Sequence, residues 1–283
     1  MYNIIMDFKK IEENENLEIA YICTYSGGFI SRNKQVLNNL ELNKLTQIIL
    51  SKSVYGTPIF KLGNRGKKIL IISGIHGNEL PPQIANIQLI NNLINKKLKN
   101  TLYFIPFAAP KSTMNNERTF NSMDLNRSAH IKNSISNLII NFAINSNINY
   151  IGDFHSTSYN ANPGCESVFS SKQPTPESYL ISEYISNQVG SKIINLTYAG
   201  SQYKGAIEDV SNLNKIPSIT CEVLSPFANV GEGSITKSLM QMESFISYTN
   251  HNSRKKLSGK YLIWVLAKII KTFELILIHV LIE

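Results

Sequence analysis

KKILIISGIHGNELPP, residues 67–82, reads as a strand, a tight loop and a helix start in succession. Residues 69–72 are an unbroken apolar run, the pattern of a strand covered on both faces. Ser73 and Gly74 follow and let the backbone turn closely. Pro81 and Pro82 stand where a first helical turn tolerates proline. Between these signals His76 and Glu79 leave the strand end three residues apart. A neutral imidazole and a carboxylate delivered together suit zinc ligation. Alone, the same pair also reads as an ordinary polar loop.

Working outward, residues 83–98 place Ile84, Ile87, Ile90, Ile94 and Leu98 on one side of an amphipathic helix. Residues 101–107 form a second buried strand. Strand, helix and strand in that order predict a crossover unit and a largely parallel sheet. Upstream, residues 19–25 are strand-like, 34–50 follow a helical period, and 54–62 turn at Gly56-Thr57-Pro58 into an extended stretch. Downstream, 108–130 is a long connection without periodicity, and such a connection is functional or disordered. It carries Arg118 and Arg127, with Asp124 and Asn126 between them.

A helix is predicted over 131–144, then a short strand over 150–154 that runs into Asp153-Phe154-His155-Ser156-Thr157. This is a second strand end that delivers a histidine, and ligands of open α/β sheets gather at the carboxyl ends of strands. Further elements are a short strand near Val168, a helix over 176–189, an extended stretch over 192–196 and a short helix over 206–213. A strand over 216–223 has Glu222 near its end, and a closing helix covers 235–248. A glutamate in an apolar strand is costly to bury unless paired or used in chemistry. The plain alternative is a residue on the solvent side of the strand.

The 283 residues are 43% hydrophobic and 17% charged, enough for one α/β domain with an appendage. The net charge of +8 is spread along the chain, which argues against a nucleic-acid partner. Three cysteines without a short common spacing argue against a disulfide framework and against a cysteine zinc site. No long apolar stretch opens the sequence, so a cytoplasmic location is expected. The domain is expected over 1–252, with its motif-bearing core at about 54–250. Residues 253–283 read as a basic linker and an apolar, amphipathic helix. Lys268, Lys271 and Glu274 make that helix a poor membrane span. It suits a membrane surface, a subunit contact or the domain's own core.

Two histidines and a glutamate leave zinc one position for water, as catalysis requires. HGNE at 76–79, DLNR at 124–127, DFHST at 153–157 and CEV at 221–223 resemble the zinc carboxypeptidase superfamily. Within it they look most like the succinylglutamate desuccinylase and aspartoacylase type of deacylase. The resemblance covers residues 54–250. It implies one zinc ion held by His76, Glu79 and His155, with Asp124 orienting the first histidine. It implies Glu222 as general base and Arg118 as the group that polarises the scissile carbonyl. Asn126 and Arg127 match the pair that grips the substrate's carboxylate, and Tyr198 and Tyr203 are both candidates for a tyrosine near the site.

The implied fold is one α/β domain: a mixed, mostly parallel sheet of about eight strands with helices on both faces. The implied activity is zinc-dependent hydrolysis of an amide bond beside a free carboxylate, most simply in an N-acyl amino acid. A metallocarboxypeptidase acting on short peptides is the alternative. A zinc- or ligand-binding protein without catalysis, or a membrane-attached protein that keeps the site, is the second.

Overall fold

The computed structural model describes residues 7–11 and 14–251. The tail expected to form a basic linker and helix lies outside them. In chain order the elements are β1 (Lys9–Ile11), β2 (Asn14–Cys23), α1 (Lys34–Asn38), α2 (Lys44–Lys52), β3 (Thr57–Leu62), β4 (Lys68–Ser73) and α3 (Leu80–Leu93). There follow β5 (Thr101–Ile105), α4 (Pro110–Asn115), α5 (Ile135–Asn145), β6 (Tyr150–Thr157) and β7 (Ser167–Gln173). The remainder is α6 (Pro176–Val189), β8 (Lys192–Tyr198), α7 (Ile207–Leu213), β9 (Ser218–Leu224) and α8 (Ser234–His251).

One sheet holds all nine strands in the order β1-β2-β3-β5-β4-β6-β9-β7-β8. The expected parallel majority is corrected here. Among the described residues four pairings are parallel and four antiparallel. The parallel run is the centre, β5-β4-β6-β9, where crossover helices force one direction. On one side β1, β2 and β3 alternate in direction. On the other, β7 runs against β9 and β8 follows β7.

The apolar run at 69–72 behaves as its composition requires. Ile69 and Ile71 enter one core layer, which α3, α6 and α8 cover. Leu70 and Ile72 enter the other, under α5 and α7. All four side chains are buried, which is why no polar residue alternates with them.

Local chemistry explains most element ends. Asn33 and Asn43 each accept a backbone N–H as helix caps, from Val36 and Thr46. The single helix expected over 34–50 is therefore two, α1 and α2. Ser134 caps α5 through Asn137 N–H, so that helix starts at Ile135 rather than at 131. In α6, proline opens the helix and Gly190 closes it in the left-handed region. The amphipathic pattern expected for α3 is overridden by its position. Every residue of Leu80–Ile87 is buried, polar Gln83 and Asn86 included. Among the described residues no helix is long and apolar enough to cross a membrane.

Candidate metal-binding active site

The carboxyl ends of β4 and β6 meet in one polar cluster. His76 and Glu79 come from the loop between β4 and α3, and His155 lies within β6. One ligand atom from each of the three lies within 4.8 Å of the others, and all three residues are buried. The two ring planes stand 66° apart, yet both rings turn Nδ1 to the same carboxylate. His76 Nδ1 is 2.8 Å from Glu79 Oε1, and His155 Nδ1 is 2.8 Å from Oε2 of the same carboxylate. Each far nitrogen meets another carboxylate: His76 Nε2 lies 3.0 Å from Asp124 Oδ1, and His155 Nε2 lies 2.8 Å from Asp153 Oδ2. A metal on the Nδ1 side would be held by rings whose Nε2–H groups are donated to carboxylates, the arrangement that fixes tautomer and raises basicity. Two imidazoles and one carboxylate in a buried cluster are a donor set that fits zinc.

The loop is held in shape by α3. Gln83 Nε2 donates to the carbonyls of Glu79, His76 and Gly77, and Gln83 Oε1 accepts from Thr113 of α4. Gly77 presses directly on α4: a Cβ there would lie 2.2 Å from the Ser112 carbonyl carbon and 2.4 Å from Thr113 N. Backbone cannot yield at that distance, so Gly77→Ala is expected to displace the loop that carries both ligands. Zinc content after dialysis should fall well below one per chain, and an alanine variant that holds zinc like the parent would contradict this packing.

Electrostatics follow from the geometry. Burial alone would raise the Glu79 carboxyl, but the His76 and His155 rings override it and hold it well below the usual carboxylate range. Burial opposes a charged His155, yet Asp153 and Glu79 push its pKa well above the ordinary histidine value. Asp124 is likewise lowered: burial is outweighed by the His76 hydrogen bond and by the Arg118 charge. Arg118 NH1 donates to Glu79 Oε1 at 3.2 Å, and NH2 reaches Asp124 Oδ2 at 3.5 Å.

Glu222 completes the cluster from β9. In the parallel pairing of β6 with β9 it stands opposite His155, so both project toward the α5 and α7 side. Its Oε2 is buried with no hydrogen-bond partner, and burial, then the Glu79 charge, push the carboxyl up to about 8. The expected short strand over 150–154 is thus longer. β9 pairs with β6 as far as Thr157 and Leu224, which carries His155 inside the strand.

A cavity of about 320 Å³ opens onto this cluster. His76, Glu79, Arg118, Asn126, Arg127 and Glu222 all line it. Asn126 and Arg127 sit on a single 3-10 turn, Leu125–Arg127, which Asp124 caps by accepting the Asn126 N–H. Tyr203 lines the cavity; the Arg127 guanidinium lies 5.4 Å from its ring centre and Phe169 packs on it edge-on at 5.4 Å. Tyr198 is 62% exposed at the end of β8 and is not among the lining residues.

Two acidic residues near the site carry roles that the sequence did not disclose. Asp153 reads as part of a strand, and only the fold shows it against His155. Glu208 reads as a charged first turn of a short helix, yet it is buried in the cavity wall. Burial pushes its carboxyl up to about 8; Ser171 and Asn212 hydrogen bonds oppose this, and Asp209 and Asp153 add to it. Between about pH 4.5 and 8 the folded state therefore keeps a proton that the unfolded chain releases, and stability falls as pH rises through that window. Glu208→Gln abolishes the titration. The variant's unfolding midpoint should gain on the parent's between pH 5 and pH 8, by an equivalent of about 2–5 kcal/mol. A constant difference across that range would contradict the buried carboxyl.

The geometry defines a class, an α/β fold with a His-Glu-His metal-type cluster at the carboxyl ends of central parallel strands. Comparison with known proteins then narrows it. Residues 65–162 match the model of the succinylglutamate desuccinylase/aspartoacylase catalytic domain. That span includes every motif residue of the site except Glu222 and the tyrosines. No curated protein matches the sequence.

Solved structures share the fold. The succinylglutamate desuccinylase/aspartoacylase of Rhodobacter sphaeroides superposes with TM-score 0.54 at 15% identity, covering 70% of this chain and 61% of that one. The product-bound ectoine utilization protein EutE (DoeB) of Ruegeria pomeroyi gives 0.57 at 13%, covering 70% and 63%. A metallo-carboxypeptidase of Burkholderia cenocepacia gives 0.52 at 13%, covering 70% and 61%. The chain thus spans less than two thirds of the length of each. The family model covers three of the four motifs, HGNE, DLNR and DFHST, and the solved structures share the fold.

Proposed function

We propose that this chain is a zinc-dependent hydrolase that cleaves an amide bond next to a free carboxylate, acting as an N-acyl amino acid deacylase. The observation that carries the reading is the buried cluster of His76, Glu79 and His155, with Glu222 opposite His155 on the next strand and lining the cavity together with His76 and Glu79. His76, Glu79 and His155 would hold zinc, which would supply a Lewis acid to acidify water and polarise the scissile carbonyl. The chain's own groups do the rest. Glu222 takes the proton of the attacking water and returns it to the leaving amine. Arg118, beside Glu79, donates to the oxygen on which negative charge develops. Asn126 and Arg127 hold the substrate's carboxylate, with the arginine able to grip both oxygens, so binding energy serves orientation. Asp124 and Asp153 each engage one Nε2 and so keep both Nδ1 atoms turned toward Glu79.

The family match over residues 65–162 favours deacylation over peptide trimming. The test is amine release by the zinc-loaded protein from two matched sets: N-acyl amino acids in succinyl, acetyl and formyl forms, and short peptides with free carboxyl ends. Release from the first set alone is expected. Release from peptides alone would make it a carboxypeptidase, and silence on both with zinc bound would overturn the hydrolase reading.

A further inference from the structure

Residues 62–78, 80–116 and 244–273 each contain lysine or arginine and not one aspartate or glutamate. The fold brings these three stretches together at the amino ends of β4 and β5. Lys67 N–H donates to Asn100 Oδ1, and Thr101 Oγ1 donates to the Arg65 carbonyl. Asn100 Nδ2 donates in turn to Asn250 Oδ1 at 2.9 Å, near the end of α8. Gly66 permits the close approach: a Cβ there would lie 2.4 Å from the Lys99 carbonyl oxygen.

Arg65, Lys96, Lys97 and Lys99 are exposed on this face, and none of them forms an ion pair among the described residues. Arg65 and Lys97 line one surface cavity of about 250 Å³, and Lys96 and Lys97 line a neighbouring one of about 490 Å³. The cations of the two loops therefore face common ground. Glu18 lines the larger cavity, but it is already paired with Lys61 at 3.0 Å. Cations gathered without a counter-charge raise a local field that attracts anions. The metal-type cluster lies at the other end of the sheet. His76 and Glu79 follow the last residue of β4, and the basic face precedes its first, about 20 Å apart at 3.3 Å per residue.

We propose that this face docks the protein on an anionic lipid bilayer, with the cavity at the opposite end turned to water. Where the chain continues chooses a bilayer over other anions. Asn250, tied to Asn100, fixes the end of α8 at this face. From there the sequence runs on through Arg254, Lys255, Lys256 and Lys260 into the mostly apolar stretch 261–283. Cations attract the headgroups of anionic lipids, and an apolar stretch beside them adds the second signal that stable attachment takes. A soluble polyanion would use the cations and leave the apolar stretch without a role. The inference needs no assumption about the reaction.

The test uses the full chain with vesicles of phosphatidylcholine, alone or mixed with phosphatidylserine. Sedimentation with the mixed vesicles only is expected, with release at high salt as screening grows. Trp264, the chain's one tryptophan, falls within 261–283, and its emission should shift to the blue on the mixed vesicles. Arg65→Glu, Lys97→Glu and Lys99→Glu together should weaken binding at least about tenfold. The matching glutamine set should weaken it less, and it serves if the glutamate set fails to fold. Lys34→Glu, Lys111→Glu and Lys132→Glu remove the same charge from the other end of the sheet. Lys111 lies in α4 just past β5, Asn33 beside Lys34 donates to Thr113 of α4, and Asn133 beside Lys132 accepts from Tyr25, just past β2. This second set should leave binding within about twofold of the parent. Equal binding to both vesicles, binding to neither, an effect as large in the second set as in the first, or binding to heparin without binding to vesicles would each overturn the assignment.

Discussion

Glu222→Gln is expected to retain zinc at one per chain and to lose turnover by about 10²–10⁴-fold, the range for removing a positioned acid–base group. Glutamine keeps the size of the side chain and its place opposite His155 on β9. What it lacks is an oxygen that can accept a proton from water and carry it to the amine. The substitution also leaves His76, Glu79 and His155 intact, so metal content separates loss of chemistry from loss of the site. The buried Oε2 has no protein partner to lose, which limits the structural cost. Zinc analysis together with kcat on the best amide substrate is the measurement. A fully active variant would place the base elsewhere, and loss of zinc would make Glu222 part of the metal's support.

Glu79→Gln is expected to act in the opposite order, on metal first. Glu79 is the one carboxylate that meets both Nδ1 atoms, at 2.8 Å each, and it also receives the Ser156 N–H and Arg118. Removing its charge leaves a donor set of two neutral imidazoles and a weak amide oxygen. Zinc affinity should fall by more than about 100-fold, beyond the 10–100-fold typical of an orienting partner. Asp124→Asn, which touches His76 only from behind, should fall inside that smaller range. Competition with a chromophoric chelator ranks the three proteins. An Asp124→Asn affinity below that of Glu79→Gln would reverse the assignment of inner and outer carboxylates.

The two substitutions probe parts of the site with different legibility in the sequence. His76, Glu79 and His155 are legible together because two apolar strands each deliver a histidine toward their carboxyl ends, where ligands of such sheets gather. The α6 helix is equally plain, since proline and glycine mark both its ends. Sheet direction is a different matter. The antiparallel flanks depend on which strands become neighbours, and that is decided by contacts far apart in sequence. β3 and β5 pair across the whole of β4 and α3, and nothing local in either says so.

Asp153 and Glu208 were hidden for a related reason. A carboxylate inside DFHST looks like one more strand residue until His155 Nε2 is found beside it. Glu208 next to Asp209 looks like a solvated acidic pair at a helix start. The packing of α7 against β6, β7 and β9 buries it. Polar residues that serve through burial carry no periodic signature, whereas apolar ones do.

The reversal of direction between β9 and β7 has an evolutionary corollary. The three candidate metal ligands stand on β6 and on the loop after β4, while the far wall of the cavity is furnished by β7 and α7 beyond that seam. On the proposed hydrolase reading, mutations at Phe169 or Glu208 would change which molecules the cavity admits while the candidate ligands and Glu222 stay as they are. A lineage built on this plan can change its diet in a few steps without ever passing through an inactive ancestor.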